Sequence, residues 1–209
     1  MSERSWIERL RDNYVNSDTA FDRLLPKELR HLSAVHWTPF DVAVKVAVLL
    51  NLGPDERVLD VGSGIGKQCL IGASASRGMW FGVERVAPLV NYGRRLATEL
   101  NVASRVVLLQ GDAFDVDWTL FDALYLFNPF ELPIAGRANL PAMPYHIAAV
   151  KAQRRLARMK IGARVVVLNG FGGVMPPSYR VVFRERLPRL STELVMWLKV
   201  NEHDPHDVA

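Results

Sequence analysis

From residue 57 onward, short β-branched apolar runs alternate with helical patterns, and this alternation restricts the possible fold more than any other feature of the chain. The runs fall near 57–61, 79–83, 105–110, 122–127 and 163–169, each bounded by turn residues as strands are. Helical patterns occupy 65–76, 87–100 and 145–160. The middle one sets Leu89, Tyr92, Leu96 and Leu100 on one face. Strands apolar on both faces and separated by helices predict a parallel sheet covered on both sides. The end of the chain breaks the rhythm. Residues 179–187 alternate, with Val181, Phe183 and Leu187 expected on one side and Arg180, Arg184 and Arg186 on the other. A second run follows at 193–200, with Pro188 and Ser191-Thr192 between the two. Strands joined so closely must be antiparallel. The expected fold is α/β, a three-layer sandwich around a mostly parallel seven-stranded sheet with a C-terminal antiparallel pair.

Length and composition agree with one such domain. The 209 residues suit a single α/β unit with a short extension, and the 49% hydrophobic content supplies its core. Residues 1–35 read as a helical extension: Trp6, Ile7, Leu10 and Tyr14 fall at helical spacing, and Ser17 or Asp18 can cap a second helix carrying Phe21, Leu24 and Leu25. Pro26 starts a further turn. Too small to fold alone, this segment is expected to lie over one edge of the main domain, residues 36–209, as a lid. Thr38-Pro39-Phe40-Asp41 reads as a helix start, with Thr38 as N-cap, Pro39 at the first helical position and Asp41 in a capping box. That helix is expected to run to Leu52 and stop at Gly53-Pro54.

The strand Val58-Leu59-Asp60-Val61 runs straight into Gly62-Ser63-Gly64-Ile65-Gly66-Lys67, which opens a helix. Glycines in such a turn let the backbone bend tightly and let a ligand approach without meeting a Cβ. A dinucleotide fingerprint would need its third glycine at Lys67, one residue later than it stands. Asp60 precedes the first glycine by two residues. A carboxylate there repels a pyrophosphate and suits a polar tail that carries an ammonium. Glu84 ends the next strand, close to where an acid takes ribose hydroxyls in Rossmann-type sites. An ionised carboxylate can accept from both hydroxyls of such a sugar. After the third strand come Gly111-Asp112-Ala113, an acid for an exocyclic amino group beside a backbone N–H, or a capped turn.

D-V-G-S-G-I-G, the strand-end Glu84, G-D-A and the N-P-F that follows the fourth strand together resemble the class I, Rossmann-like S-adenosylmethionine methyltransferases, over roughly residues 55–200. The resemblance implies S-adenosylmethionine as cofactor and S-adenosylhomocysteine as product. It also implies that the glycine loop holds the methionine and ribose portions, the acid after the second strand the ribose, and the acid of G-D-A the adenine. The cofactor-binding residues so implied are Thr38, Asp60, Gly62, Ser63, Gly64, Gly66, Glu84, Asp112, Ala113 and Asn128.

Asn128-Pro129-Phe130 stand at the sheet's carboxyl edge, where open α/β sheets bind ligands. The Asn amide oxygen and the adjoining carbonyl can accept hydrogen bonds from an amino group, and Phe130 can stack on a planar acceptor. These three are the expected catalytic residues. N-P-F is similar to the N-P-P-Y/F signature of amino-methylating members, without its second proline, and to the N-N-F-type turn of seven-strand protein-lysine methyltransferases. In those, a Thr-Pro-type segment before the glycine loop covers the cofactor, a part that Thr38-Pro39 can take. A nitrogen acceptor on a protein side chain or a nucleic-acid base is favoured. A small-molecule acceptor, or a cofactor-binding module without catalysis, are the alternatives. Glu131, Tyr145 and His146 are candidate bases with duller readings as loop and helix-start residues.

The net charge of +4 suits a polyanionic partner as well as it suits many small-molecule enzymes. Lys151, Arg154, Arg155 and Arg158 line one helix face opposite Ala149, Ala152, Leu156 and Met159, a phosphate strip or a solvated stripe. Cys69, the single cysteine, reads as a small core residue and excludes a disulfide framework or a cysteine zinc cluster; no metal is expected. The N-terminus lacks a secretory pattern and the longest apolar stretch is too short to span a bilayer, so a cytoplasmic protein off the membrane is expected.

Overall fold

The computed structural model describes residues 16–130 and 143–202. Strands β1 (Arg57–Val61), β2 (Met79–Glu84), β3 (Val106–Gln110), β4 (Ala123–Phe127), β5 (Arg164–Leu168), β6 (Tyr179–Leu187) and β7 (Thr192–Lys199) form one sheet in the order β3-β2-β1-β4-β5-β7-β6. The first five are parallel, and β7 runs antiparallel to both β5 and β6. The expected architecture is the one observed, with strand ends shifted by a residue here and there. The order reverses between β1 and β4, the switch point at which such sheets open a ligand crevice.

Helices α1 (Asp18–Arg23), α2 (Lys27–His36), α3 (Phe40–Leu50), α4 (Lys67–Ala75) and α5 (Ala87–Glu99) accompany one face. Phe21, Val46, Leu70 and Leu96 pack there with Val58, Tyr125, Val166 and Leu194 from the sheet. On the other face α6 (Tyr145–Ala157) and a short 3-10 turn at Trp118–Leu120 bury Leu59, Leu124, Val165 and Val167 against Ala152, Leu156 and Trp118. The alternation of β1 follows directly: Val58 and Leu59 point to opposite cores. Helix α4 is buried on every side. Its Gly72 leaves room for the Trp80 indole, into which a Cβ at that position would run at 2.3 Å.

Four local expectations are corrected. Thr38 does not cap α3. Pro39 occupies the N-cap, the Phe40 N–H donates to Asp18 Oδ1 at 3.0 Å, and the Thr38 hydroxyl lies 2.7 Å from the Tyr125 hydroxyl. Asp41 accepts only from the adjacent Val42 N–H, so there is no capping box. The helix also stops at Leu50, where Asn51 turns left-handed and Arg164 donates to the Leu50 carbonyl at 2.5 Å while pairing with Glu56. In β6 the register slips at Val182, so Val181 stands opposite Trp197 and Phe183 opposite Met196. Consecutive β7 residues point to opposite faces, hence Val181 and Phe183 do as well. A bulge has inverted half of the expected alternation.

The N-terminal extension, in its described part, joins the first core. Ser17 accepts from the Ala20 N–H and so caps α1, while Phe21 and Leu25 are buried. Its anchor is Lys67, only 2% exposed, whose ammonium reaches Asp18 at 2.5 Å and Ser33 at 3.3 Å and lies over the Phe21 ring. The helical pattern expected around Trp6 and Tyr14 lies outside the described residues. Between β5 and β6, residues 169–178 return without a helix, pinned to the sheet by Phe171 and Met175. Lys199, buried at the end of β7, donates to the carbonyls of Ala157 and Met159 and closes the C-terminus of α6.

Candidate functional site

Val61 lies opposite Val83 in the parallel β1–β2 pair, so the chain leaving β1 emerges beside the end of β2. The N–H groups of Gly62 and Ser63 both donate to the Val83 carbonyl at 3.0 Å, which ties the glycine turn down at once. The Gly64 N–H then donates to Glu84 Oε2 at 3.0 Å, and the Val86 N–H to Oε1 at 2.9 Å. Two backbone donors thus fix the carboxylate at the tip of β2. Each oxygen retains a lone pair for a further donor, such as a sugar hydroxyl.

The glycines serve this chain's own close packing first. Gly62 has φ +76°, and a Cβ there would stand 3.2 Å from the Pro129 carbonyl oxygen. The turn after β1 and the turn after β4 are therefore in contact. Gly64 has φ +57°, and a Cβ there would stand 3.0 Å from Trp37 Nε1. Gly66 begins α4 with its α-hydrogens against Leu108. Each of the three has a protein neighbour where a side chain would stand. The hydroxyl of Ser63 also turns inward, since a Cβ on Gly82 would meet it at 2.6 Å. Its oxygen is buried there without a hydrogen-bond partner.

Asp60 is buried at 4% exposure on the α4 side of β1, where the Cys69 thiol donates to it at 3.6 Å. Burial raises its carboxyl to about 7, the thiol's hydrogen bond works against that, and the charge of Glu84 adds to it. Burial likewise pushes the Cys69 thiol up, with Asp60 reinforcing the effect. The Tyr125 hydroxyl is pushed up by burial despite its bond to Thr38, and Asp60 contributes. Thr38, Asp60, Cys69 and Tyr125 so form one polar cluster under the residues that precede α3. Such a carboxyl is ready to ionise against an incoming ammonium.

At the tip of β3, Asp112 uses Oδ1 to accept from the Phe114 N–H at 2.9 Å. The Trp118 indole donates to the Ala113 carbonyl at 2.9 Å. The tight-turn reading of G-D-A is what the backbone shows, with the second carboxylate oxygen left for other work. This loop also carries an aromatic row. Phe114 stacks on Trp118 at 6.1 Å and on Phe130 at 5.4 Å between ring centroids. One face of Phe130 is thereby taken by the protein. Lys151 lies over the Phe114 ring, and Arg155 donates to the Phe114 carbonyl at 2.5 Å. Two members of the basic helix face thus hold this loop, while Arg154 and Arg158 are exposed.

Asn128 sits in the left-handed region at φ +43°, a conformation that Asn tolerates better than most residues. Its Oδ1 accepts from Asn169 Nδ2 at 2.9 Å, and Asn169 Oδ1 in turn accepts from the Thr192 hydroxyl at 2.8 Å. Asn169 and Thr192 escaped the sequence reading, although a signal existed. Phe127 pairs with Leu168, so the residue after each strand end must be a neighbour, and both are Asn. Glu131 lies outside the described residues. Tyr145 sets its ring against Gly172, where a Cβ would meet it at 2.3 Å, and is otherwise about half exposed. Beside Asn169 opens a cavity of about 370 Å³, walled by Val167, Phe171, Met175, Val195 and Trp197, with Glu193 at its rim. Among the described residues no helix is long and apolar enough to cross a membrane, and no group of three or more His, Cys, Asp or Glu is placed to hold a metal ion.

No known family profile matches the chain. Solved structures do share its fold. An RNA methyltransferase from Salinibacter ruber, in complex with S-adenosyl-L-homocysteine, superposes with a TM-score of 0.60 at 21% identity over 80% of this chain and 96% of that one. A provisionally assigned O-methyltransferase from Klebsiella pneumoniae gives 0.63 at 16% identity over 94% and 97%. A geranyl diphosphate methyltransferase in complex with SAM gives 0.60 at 13% identity over 83% and 90%. The chain has the seven-strand, Rossmann-like methyltransferase fold.

Proposed function

We propose that this protein is an S-adenosylmethionine-dependent methyltransferase whose acceptor is an amino nitrogen presented at Asn128-Pro129-Phe130. The observation that carries the reading is the bond from the Gly64 N–H to Glu84, which fixes one carboxylate at the tip of β2 while buried Asp60 stands behind the same turn. Two acids of unequal exposure, 24 positions apart (84 − 60), suit a nucleoside sugar and an ammonium-bearing tail. They do not suit a pyrophosphate. Fold neighbours that hold S-adenosylhomocysteine or SAM support the same ligand.

When bound, the cofactor supplies an electrophilic methyl on its sulfonium. The protein's tasks are alignment and exclusion of water. Glu84 holds the ribose, Asp60 the ammonium, and the Asp112-Ala113 turn the adenine edge. Asn128 accepts a hydrogen bond from the acceptor nitrogen on the lone pair of Oδ1 that Asn169 does not use, and Pro129 adds its carbonyl. Phe130, backed by Phe114, presents its remaining face to a planar group. A protein side chain or a nucleic-acid base is the favoured acceptor, in line with the RNA methyltransferase among the fold neighbours. A small-molecule acceptor is favoured by one observation: the cavity beside Asn169 is mostly apolar and of ligand size. Cell extract incubated with the protein and methyl-labelled cofactor separates these cases. A labelled macromolecule supports the first, a labelled soluble product the second, and no transfer removes catalysis altogether.

A further inference from the structure

Trp37 precedes α3 and is 6% exposed, yet its indole N–H has no hydrogen-bond partner. An indole nitrogen can only donate, so what satisfies it must be an acceptor. The two fully buried indoles are paired: Trp80 donates to Ser76 at 2.9 Å and Trp118 to the Ala113 carbonyl at 2.9 Å. The Trp37 nitrogen instead stands 3.0 Å from the point where a Cβ of Gly64 would lie, directly against the glycine turn. Its neighbour Thr38 is bonded to Tyr125, and Asp60 lies in the same cluster. An acid and an unpartnered N–H donor therefore flank one stretch of the turn. An α-amino acid zwitterion asks for that pairing, an acceptor for its ammonium and a donor for its carboxylate.

We infer that Trp37 is a cofactor-binding residue whose indole N–H donates to the carboxylate of the cofactor's amino-acid tail. The inference rests on the S-adenosylmethionine reading above and deepens it by naming the group that recognises the tail's negative end. It also gives Gly64 a second purpose. Any side chain there would push the indole off the turn and carry the donor with it. Because Trp37 follows α2 directly, the tail and the N-terminal extension meet at this residue. The docking of α1 on Lys67 holds that segment in place.

The test compares two ligands in wild type and Trp37→Phe, which keeps an aromatic ring and deletes the donor together with part of the indole's bulk, a loss of packing that both ligands feel alike. S-adenosylmethionine has the carboxylate. Decarboxylated S-adenosylmethionine keeps the nucleoside, sulfonium and ammonium and lacks it. Titration calorimetry is expected to show Trp37→Phe binding S-adenosylmethionine about 10- to 100-fold more weakly, the scale of a hydrogen bond to a charged group. The decarboxylated ligand should bind both proteins alike, within about twofold. An equal loss for both ligands would assign Trp37 to packing, and no loss for either would leave its N–H without a role; each result overturns the inference. Wild type that takes up neither ligand would instead overturn the cofactor reading itself, and this inference with it.

Discussion

The two halves of the sheet's carboxyl edge are built on different terms. At β1 and β2 the groups are buried and tied to one another: the glycine turn is bonded twice to Val83, Glu84 is held by two N–H groups, and Asp60 is enclosed with Cys69. At β4 and β5 the turns are left-handed asparagines, joined side chain to side chain near the surface, beside a cavity under a crossover that has no helix. A preformed half suits a ligand that is always the same. A looser half, with polar groups on a relay and an open wall, suits the partner that distinguishes one enzyme of this fold from another. Ligand affinity should therefore be governed by the first half and turnover by the second.

The largest effect expected is that of Gly64→Val. A β-branched residue at φ +57° against Trp37 combines backbone strain with overpacking, about 4 kcal/mol together, so a denaturant midpoint should fall sharply and cofactor binding should vanish. Retained binding would mean that the first half is less tightly built than described.

Asp60 gives a pH signature of nearly the same size. Its carboxyl is raised in the folded protein to about 7, against roughly 3.9 when unfolded. The folded state binds the extra proton, so the stability this group contributes is complete below about pH 4 and is lost as the pH climbs through 7. Between pH 5 and 8 the ligand-free protein should lose about 3 kcal/mol that Asp60→Asn does not lose. Cofactor binding should run the opposite way in wild type, strengthening as Asp60 ionises toward an ammonium. Parallel melts of the two proteins across that range read the difference.

In the second half, Asn128→Ala should leave cofactor affinity within about twofold and cut methyl transfer about 100-fold, or ~2.7 kcal/mol in the barrier. Parental turnover in the alanine variant would remove that turn from the chemistry. The smallest effect concerns the extension. Asp18→Ala strips the charged partner from a buried ammonium, leaving it Ser33, and a cap from Phe40, and should cost about 2 kcal/mol, below the usual range because Asp18 is itself half-exposed. Lys67→Met removes charge and need together and should cost less. Chemical denaturation of both variants compares them.

The sequence carried most of the fold because a parallel sheet leaves a strong periodic record: apolar runs at even intervals, glycines at the first strand end, and an antiparallel finish. It carried the positions of Asp60, Glu84 and Asn128 for the same reason, since strand ends fix the carboxyl edge. What it did not carry depends on three-dimensional proximity or on single backbone angles. The bulge at Val182 reverses the face of Val181 without any change of composition. Thr38 looks like a cap from its neighbours in sequence and is a partner of Tyr125 only because the residues before α3 meet β4. The glycines read as making space, but that Trp37 and Pro129 stand against two of them is visible only from packing across the turn. Asn169 was the one missed residue within reach, being the register partner of a residue already singled out.

Calorimetric titration of the wild-type protein with S-adenosylhomocysteine bears most directly on the whole scheme. Saturable binding at one site per chain, abolished by Gly64→Val, is the result that a sulfonium-nucleoside crevice at β1 and β2 requires. Silence toward this ligand from a protein that takes up a nicotinamide dinucleotide in the same crevice would contradict it outright.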